Sequence, residues 1–220
     1  MLFRSREFTV FWRAPESSPA IAVFADPDGV SELTEQLAFE SFPVHSGSPD
    51  ALTPYDQRQS RLALRQATRE LGLMLVRVSG ARPGATYHFR LTSTLSNGSV
   101  HVYPETGPLP AVTLPQRNDF IAETRQLLLD VSGADAAGRI VLLTHPATTH
   151  ALAAVVGDGA KTNQAFFNLG DLFALTGGQF APQGDQEFAV ELMGPQRTEG
   201  RERLTLAFTG AFTVAESSLA

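Results

Sequence analysis

The sequence predicts an all-β protein, two tandem β-sandwiches over about 1–114 and 115–220, with one helix inserted in the first. Three observations predict it. About eight to ten strand-length runs recur at regular spacing between turn residues, the pattern of sandwiches rather than of a parallel sheet. One stretch alone has helical spacing with start and stop signals. And 220 residues suit one large domain or two of about 100, with a proline-rich stretch at mid-chain.

Phe8–Ala14 alternates, with Phe8, Val10 and Trp12 on one face. Pro15–Pro19 reads as a turn cluster, Ala20–Ala25 as a short strand and Asp26-Pro-Asp-Gly29 as a turn. Val30–Val44 is ambiguous, its later part from Leu37 being a strand candidate; His45–Thr53 is a polar loop. The helix is placed at about 54–72. Thr53 can cap it, Pro54 suits the first helical position, and Asp56 favours the first turn. Leu64, Ala67, Thr68 and Leu71 follow at helical spacing, and Gly72 ends the run.

Leu73–Ser79 and Ala85–Thr94 are strands, the second with Tyr87, Phe89 and Leu91 inward. Asn97-Gly98 is the strongest hairpin signal, and Ser99–Tyr103 returns as the partner. Glu105–Pro115 holds three prolines and a glycine, so the domain boundary is placed near Pro115. Beyond it, Leu127–Val131, Arg139–Thr144, Ala151–Val156, Glu187–Met193 and Arg203–Val214 are strand candidates. Asn168–Phe173 suits one helical turn.

Composition narrows the function classes. Without cysteine there is no disulfide, thiolate nucleophile or cysteine metal site. The net charge is −6. Through Thr113 there are ten basic and eleven acidic residues, and thereafter seven and twelve, so the second half carries most of the excess. Neither half is basic, as a nucleic-acid binder would be. No run nears the roughly 18 apolar residues of a membrane helix, so no membrane insertion is expected. The first residues show no apolar secretory core; the chain is either intracellular or has lost a signal.

Val76-Arg-Val-Ser-Gly-Ala-Arg-Pro-Gly-Ala-Thr-Tyr-His-Phe-Arg90 resembles the fibronectin type III domain. That family has a strand, then Gly-Leu-x-Pro-Gly-Thr-x-Tyr, then the next strand. Gly80, Pro83, Gly84 and Tyr87 match, and Ala81 replaces the usual Leu. Trp12 is similar to the core Trp of an early strand. The resemblance covers about 8–113 and implies an immunoglobulin-like sandwich in which Tyr87 makes a structural corner, its hydroxyl bonded to backbone. The helix departs from the family pattern. Ala153–Gly159 and Phe166–Phe173 are similar to a second β-sandwich that follows such modules in some exported bacterial proteins. This implies an extracellular or cell-surface location and adds no site.

The remaining constellations are weak. His145 and His150 stand five apart around a proline, which is not helical ligand spacing; they could hold a metal only when paired with an acid, and a polar loop between two strands is the better account. Asp26–Gly29 is like the opening of a calcium loop, but a full loop needs about twelve residues and a closing Glu; Gly157-Asp-Gly159 reads likewise as a turn. Arg58, Arg61, Arg65 and Arg69 form a stripe opposite the helix's apolar side. It is a solvated face first, and otherwise a surface for an acidic protein, including a second copy, for a polysaccharide or for nucleic acid, the last disfavoured because no aromatics are interleaved and the domain is not basic. Asn97-Gly-Ser99 is also a glycosylation sequon, which the hairpin turn explains. Hydrolase, phosphate-loop and dinucleotide motifs are missing.

The expectation is therefore a non-catalytic extracellular structural or adhesion module with no cofactor or metal. It self-associates as a surface or filament subunit, or contacts neighbouring protein domains. The alternatives are an accessory ligand- or carbohydrate-binding domain of an exported enzyme, and a virion surface or tail component.

Overall fold

The computed structural model describes residues 6–13, 17–42, 59–114, 116, 125–132, 136–157, 161–176, 178–195 and 198–219. The protein is all-β, and its strands fall into two compact units. One comprises 1–53 with 74–119, the other 54–73 with 120–220.

In the first unit, β1 (Glu7–Arg13), β4 (Leu73–Ser79) and β3 (Ala38–Phe42) form a sheet in the order β1-β4-β3. The second sheet runs β2 (Ser17–Phe24), β5 (Thr86–Leu95), β6 (Val100–Tyr103), with β7 (Ala111–Thr113) also paired to β5. Alternation decides the inner faces: Phe8, Val10 and Trp12 from β1 meet Met74, Val76 and Val78 from β4. Tyr87 is 4% exposed, stacks on Phe8 and accepts a 2.7 Å hydrogen bond on its hydroxyl from the Arg82 amide. Tyr87→Phe is expected to cost about 1 kcal/mol, the net value of one such bond, read as a lower urea midpoint at unchanged slope.

Two stretches differ from the sequence expectation. β2 begins at Ser17, inside the expected turn cluster, and Pro19 pairs with Ser93. A proline is tolerated there because β2 is an edge strand, where a missing donor costs no ladder bond. The proline-rich stretch is not linker as far as Leu114. Leu109 and Leu114 are buried, and β7 pairs Thr113 with Thr86.

The second unit is built from β10-β9-β12-β13 facing β11-β8-β14. The strands are β8 (Gln126–Val131), β9 (Ile140–Thr144), β10 (Leu152–Val155), β11 (Gln164–Asn168), β12 (Gly184–Met193), β13 (Thr198–Phe208) and β14 (Phe212–Ser217). Leu127, Leu129, Phe167, Phe188, Val190 and Leu206 lie in one core between the sheets. The run expected as one strand to Val214 is two. β13 ends at Phe208, and β14 resumes in the other sheet, parallel to β8. The chain then closes on itself: Glu202 accepts from the Ser217 hydroxyl and the Ser218 amide, and Leu219 packs over Gly200.

The helix α1 spans Gln59–Glu70. Along the chain it is inserted between β3 and β4, yet it groups with the second unit. Its expected start at Thr53, Pro54 and Asp56 lies outside the described residues. Leu64 and Thr68 are buried, and the Thr68 hydroxyl returns to the Leu64 carbonyl. Beneath them lie Gly138 and Gly157, where a Cβ would meet the Thr68 nitrogen and the Leu64 side chain, each at 2.9 Å.

Candidate functional surface

The charged and polar candidates are mostly used internally. Asp26 begins the turn after β2. Its Oδ1 accepts from the Asp28 and Val30 amides at 3.1 and 3.0 Å, and Oδ2 from the Ser31 amide at 2.6 Å. Both oxygens thus close the turn, which is why the fragment behaves as a loop clasp. These amides hold the Asp26 carboxyl down, at about 2 against an ordinary 3.8. A carboxylate with a lowered folded pKa stabilises fully above its unfolded value, and the contribution fades as pH falls from about 4 towards 2. Asp26→Ala is therefore expected to flatten that part of the stability–pH curve; carboxyl NMR titration of the parent should place Asp26 near 2. Of the other calcium-like turn, Asp158 and Gly159 lie outside the described residues.

His145 and His150 are brought to one loop but given different tasks. His145 is buried, its ring 4.5 Å from Phe180 and 4.9 Å from Phe188, and its Nδ1 accepts from the Ala147 amide. His150 Nε2 lies 2.9 Å from the Asp171 carbonyl oxygen, which can only accept, so Nε2 carries the proton. Nδ1 then accepts from the Thr149 hydroxyl, 2.9 Å away. Desolvation of the ring's protein-facing side holds His150 below the ordinary histidine value. These bonds tie the 145–150 loop to the Leu169–Phe180 segment; Thr149 N and Leu175 N add main-chain bonds to Phe173 and Ala147. Among the described residues no three His, Asp or Glu side chains gather into a metal-binding group.

Of the arginine stripe, Arg58 and the side chains of Arg61, Arg65 and Arg69 lie outside the described residues. On the same helix Leu64 and Thr68 are buried. Tyr87 is engaged with Arg82 as above and belongs to the core.

What the sequence reading missed is a face. The strand order β11-β8-β14 aligns three outward rows. Gln164, itself buried, forms one with Asp130 and Glu216, Phe166, Leu128 and Val214 form the next, and Asn168, Gln126 and Phe212 the third. The inward alternates are Ala165, Phe167, Leu127, Leu129 and Ala215, which pack in the core. The middle row is apolar and accessible: Phe166 is 38% exposed and Val214 57%, with Phe212 beside them at 52%. Strands lie about 4.8 Å apart, so the row crosses about 10 Å of sheet. Its polar border is tightly held. Asp130 Oδ2 pairs with Lys161 at 2.9 Å and Oδ1 accepts from Gln164 at 2.6 Å, and these partners, Lys161 first, hold the carboxyl below its ordinary range. The available signal was doubled apolar residues, Leu127-Leu128-Leu129 and Phe166-Phe167, where a one-faced strand would alternate.

No family model matches this chain. No curated protein matches it either. Among solved structures it is similar to the fibronectin(III)-like modules of Clostridium thermocellum CbhA, at 10% identity over 96% of this chain and 87% of that one. The TM-score is 0.21, so the fold rests on the strands and registers described above.

Proposed function

We propose that this chain is a non-catalytic extracellular structural or adhesion module that works by surface contact and associates with copies of itself. The observation that carries this reading is the outward row Phe166–Leu128–Val214, with Phe212 adjoining. Apolar side chains grouped on the solvent side of a sheet raise the free energy of the isolated chain and lower it on contact. The fibronectin-like residues 76–90 support the extracellular setting, and the domain division at about 114/115 accompanies the proposal. The arginine stripe Arg58–Arg69 and the acidic second half supply a further, charge-based contact between copies.

Sedimentation velocity across a concentration series, at low and high salt, tests this. Association that persists in salt and disappears in a Phe166→Ser, Val214→Thr double variant supports the apolar face. Association that salt dissolves assigns the contact to the arginine stripe instead. A monodisperse monomer at high micromolar concentration overturns the proposal.

One observation favours a second reading, an accessory carbohydrate-binding domain. Phe166 and Phe212 present two accessible rings on one sheet face, bordered by the amides Gln126 and Asn168. Retardation of the chain in gels containing a soluble neutral glucan, lost in a Phe166→Ala, Phe212→Ala variant, would mark that role.

A further inference from the structure

The tip of the β5–β6 hairpin arranges Asn97, Gly98 and Ser99 around one atom. Asn97 Oδ1 accepts from the Ser99 amide at 2.9 Å and from the Ser99 hydroxyl at 2.7 Å. All three residues are exposed. Gly98 has φ +81°, and nothing lies within 4 Å of where its Cβ would be. The loop is closed by the Gly98 amide to the Leu95 carbonyl, 2.9 Å, and the Leu95 amide to the Ser99 carbonyl, 2.8 Å. None of this is required by the sheet face or the core.

We propose that Asn97 is a self-modification site, deamidating through its neighbour Gly98 with Ser99 as the assisting residue. In the first step the Gly98 backbone nitrogen, its proton passed to hydroxide, attacks Asn97 Cγ. The C–N bond that forms closes a five-membered imide. Charge gathers on Oδ1 in the tetrahedral intermediate, the atom on which both Ser99 donors already converge, in the manner of a small oxyanion hole. The Cγ–Nδ2 bond then breaks, and the nitrogen leaves as ammonia with a proton from water. Water next opens the imide at either carbonyl, giving aspartate or isoaspartate at position 97. The co-reactants are hydroxide and water alone.

The structure also sets the restraint. Gly98 must release its bond to Leu95 before its nitrogen can attack, so the reaction waits on opening at the loop tip. The Leu95–Ser99 bond holds the flanking pair meanwhile. Glycine matters twice, since it reaches the left-handed conformation without strain and leaves the nitrogen unshielded. The products add one negative charge to a chain of net charge −6. The isoaspartate form also adds one carbon to the main chain of the loop.

The test incubates the full folded chain at 37 °C and slightly alkaline pH. Intact mass, peptide mapping and isoaspartyl methyltransferase labelling follow the product. The expected result is a gain of about 1 Da confined to the peptide containing position 97, with isoaspartate among the products. Ser99→Ala should slow the rate about 3- to 10-fold, the kinetic equivalent of one hydrogen bond to the developing charge. Ser99→Thr, which keeps the hydroxyl, should stay near the parent rate, and Gly98→Ala should nearly stop it. An unmodified position 97 after weeks, or a Ser99→Ala variant that reacts as fast as or faster than the parent, overturns the proposal.

Discussion

Phe188→Ala is expected to lower the unfolding free energy by about 3–5 kcal/mol, the usual cost of deleting a fully buried aromatic ring. Phe188 is 0% exposed in the second unit's core. It is set on β12 between β13 and β9, and its ring meets Phe208 edge-on at 5.9 Å and His145 at 4.9 Å. Truncation removes the transfer term and leaves a cavity whose wall includes an imidazole. His145 would lose one of its two aromatic neighbours, so the 145–150 loop should loosen as well. Urea unfolding should show a lower midpoint, and hydrogen exchange should speed at Ala147, whose amide the His145 ring receives. Phe188→Leu, which refills most of the volume, should recover more than half of the loss. An alanine variant within about 0.5 kcal/mol of the parent, the range of neutral surface changes, would falsify the single-core description of this unit.

Gly138→Ala is the second large effect, expected at about 2–5 kcal/mol. Two costs combine. Gly138 has φ +85°, which costs a residue bearing Cβ about 1–2 kcal/mol. The added Cβ would also lie 2.9 Å from the Thr68 nitrogen and 3.1 Å from the Ala67 carbonyl carbon. Those are backbone atoms of α1, so no side-chain rotation relieves the clash, and overpacking adds about 1–3 kcal/mol. Two other glycines separate the terms. Gly178 has φ +81° with open space around it, and Gly210 has open space with no left-handed φ. Gly178→Ala should therefore show the backbone cost alone, and Gly210→Ala should stay within about 0.5 kcal/mol. If Gly138→Ala matches Gly178→Ala in urea midpoint, α1 does not rest on this shelf. The glycine pair exists because Gly138 donates to the Val156 carbonyl, which sets Gly138 and Gly157 side by side at one end of the β9–β10 ladder.

The sequence by itself determined the fold class and most strands. Alternation in Phe8–Trp12 and Tyr87–Leu91 is a local property, and hairpin glycines such as Gly98 mark their turns without help from distant residues. Helical spacing around Leu64 and Thr68 also placed α1, and in outline its end at Gly72. β7 escaped because three residues between prolines carry no period, and β2 gained its first residues from Ser17 because pairing with β5 outweighs the local turn preference. β11 escaped because Phe166 and Phe167 are apolar on both faces.

Only the tertiary structure decided what these elements do together. α1 is inserted in the first sandwich, but a helix is held by what it buries, and Gly138 and Gly157 are its bed. His145 and His150 share a loop in which the Nδ1 partners, Ala147 and Thr149, are local, but the His150 Nε2 partner Asp171 and the His145 ring neighbours Phe180 and Phe188 stand about 20 to 40 positions away, where no spacing announces them. The row Phe166–Leu128–Val214 is assembled from three strands spread over almost ninety residues. Each member alone is an ordinary exposed or half-exposed apolar residue; strand order and register make them a surface, and register is a long-range property that a one-residue slip would reverse.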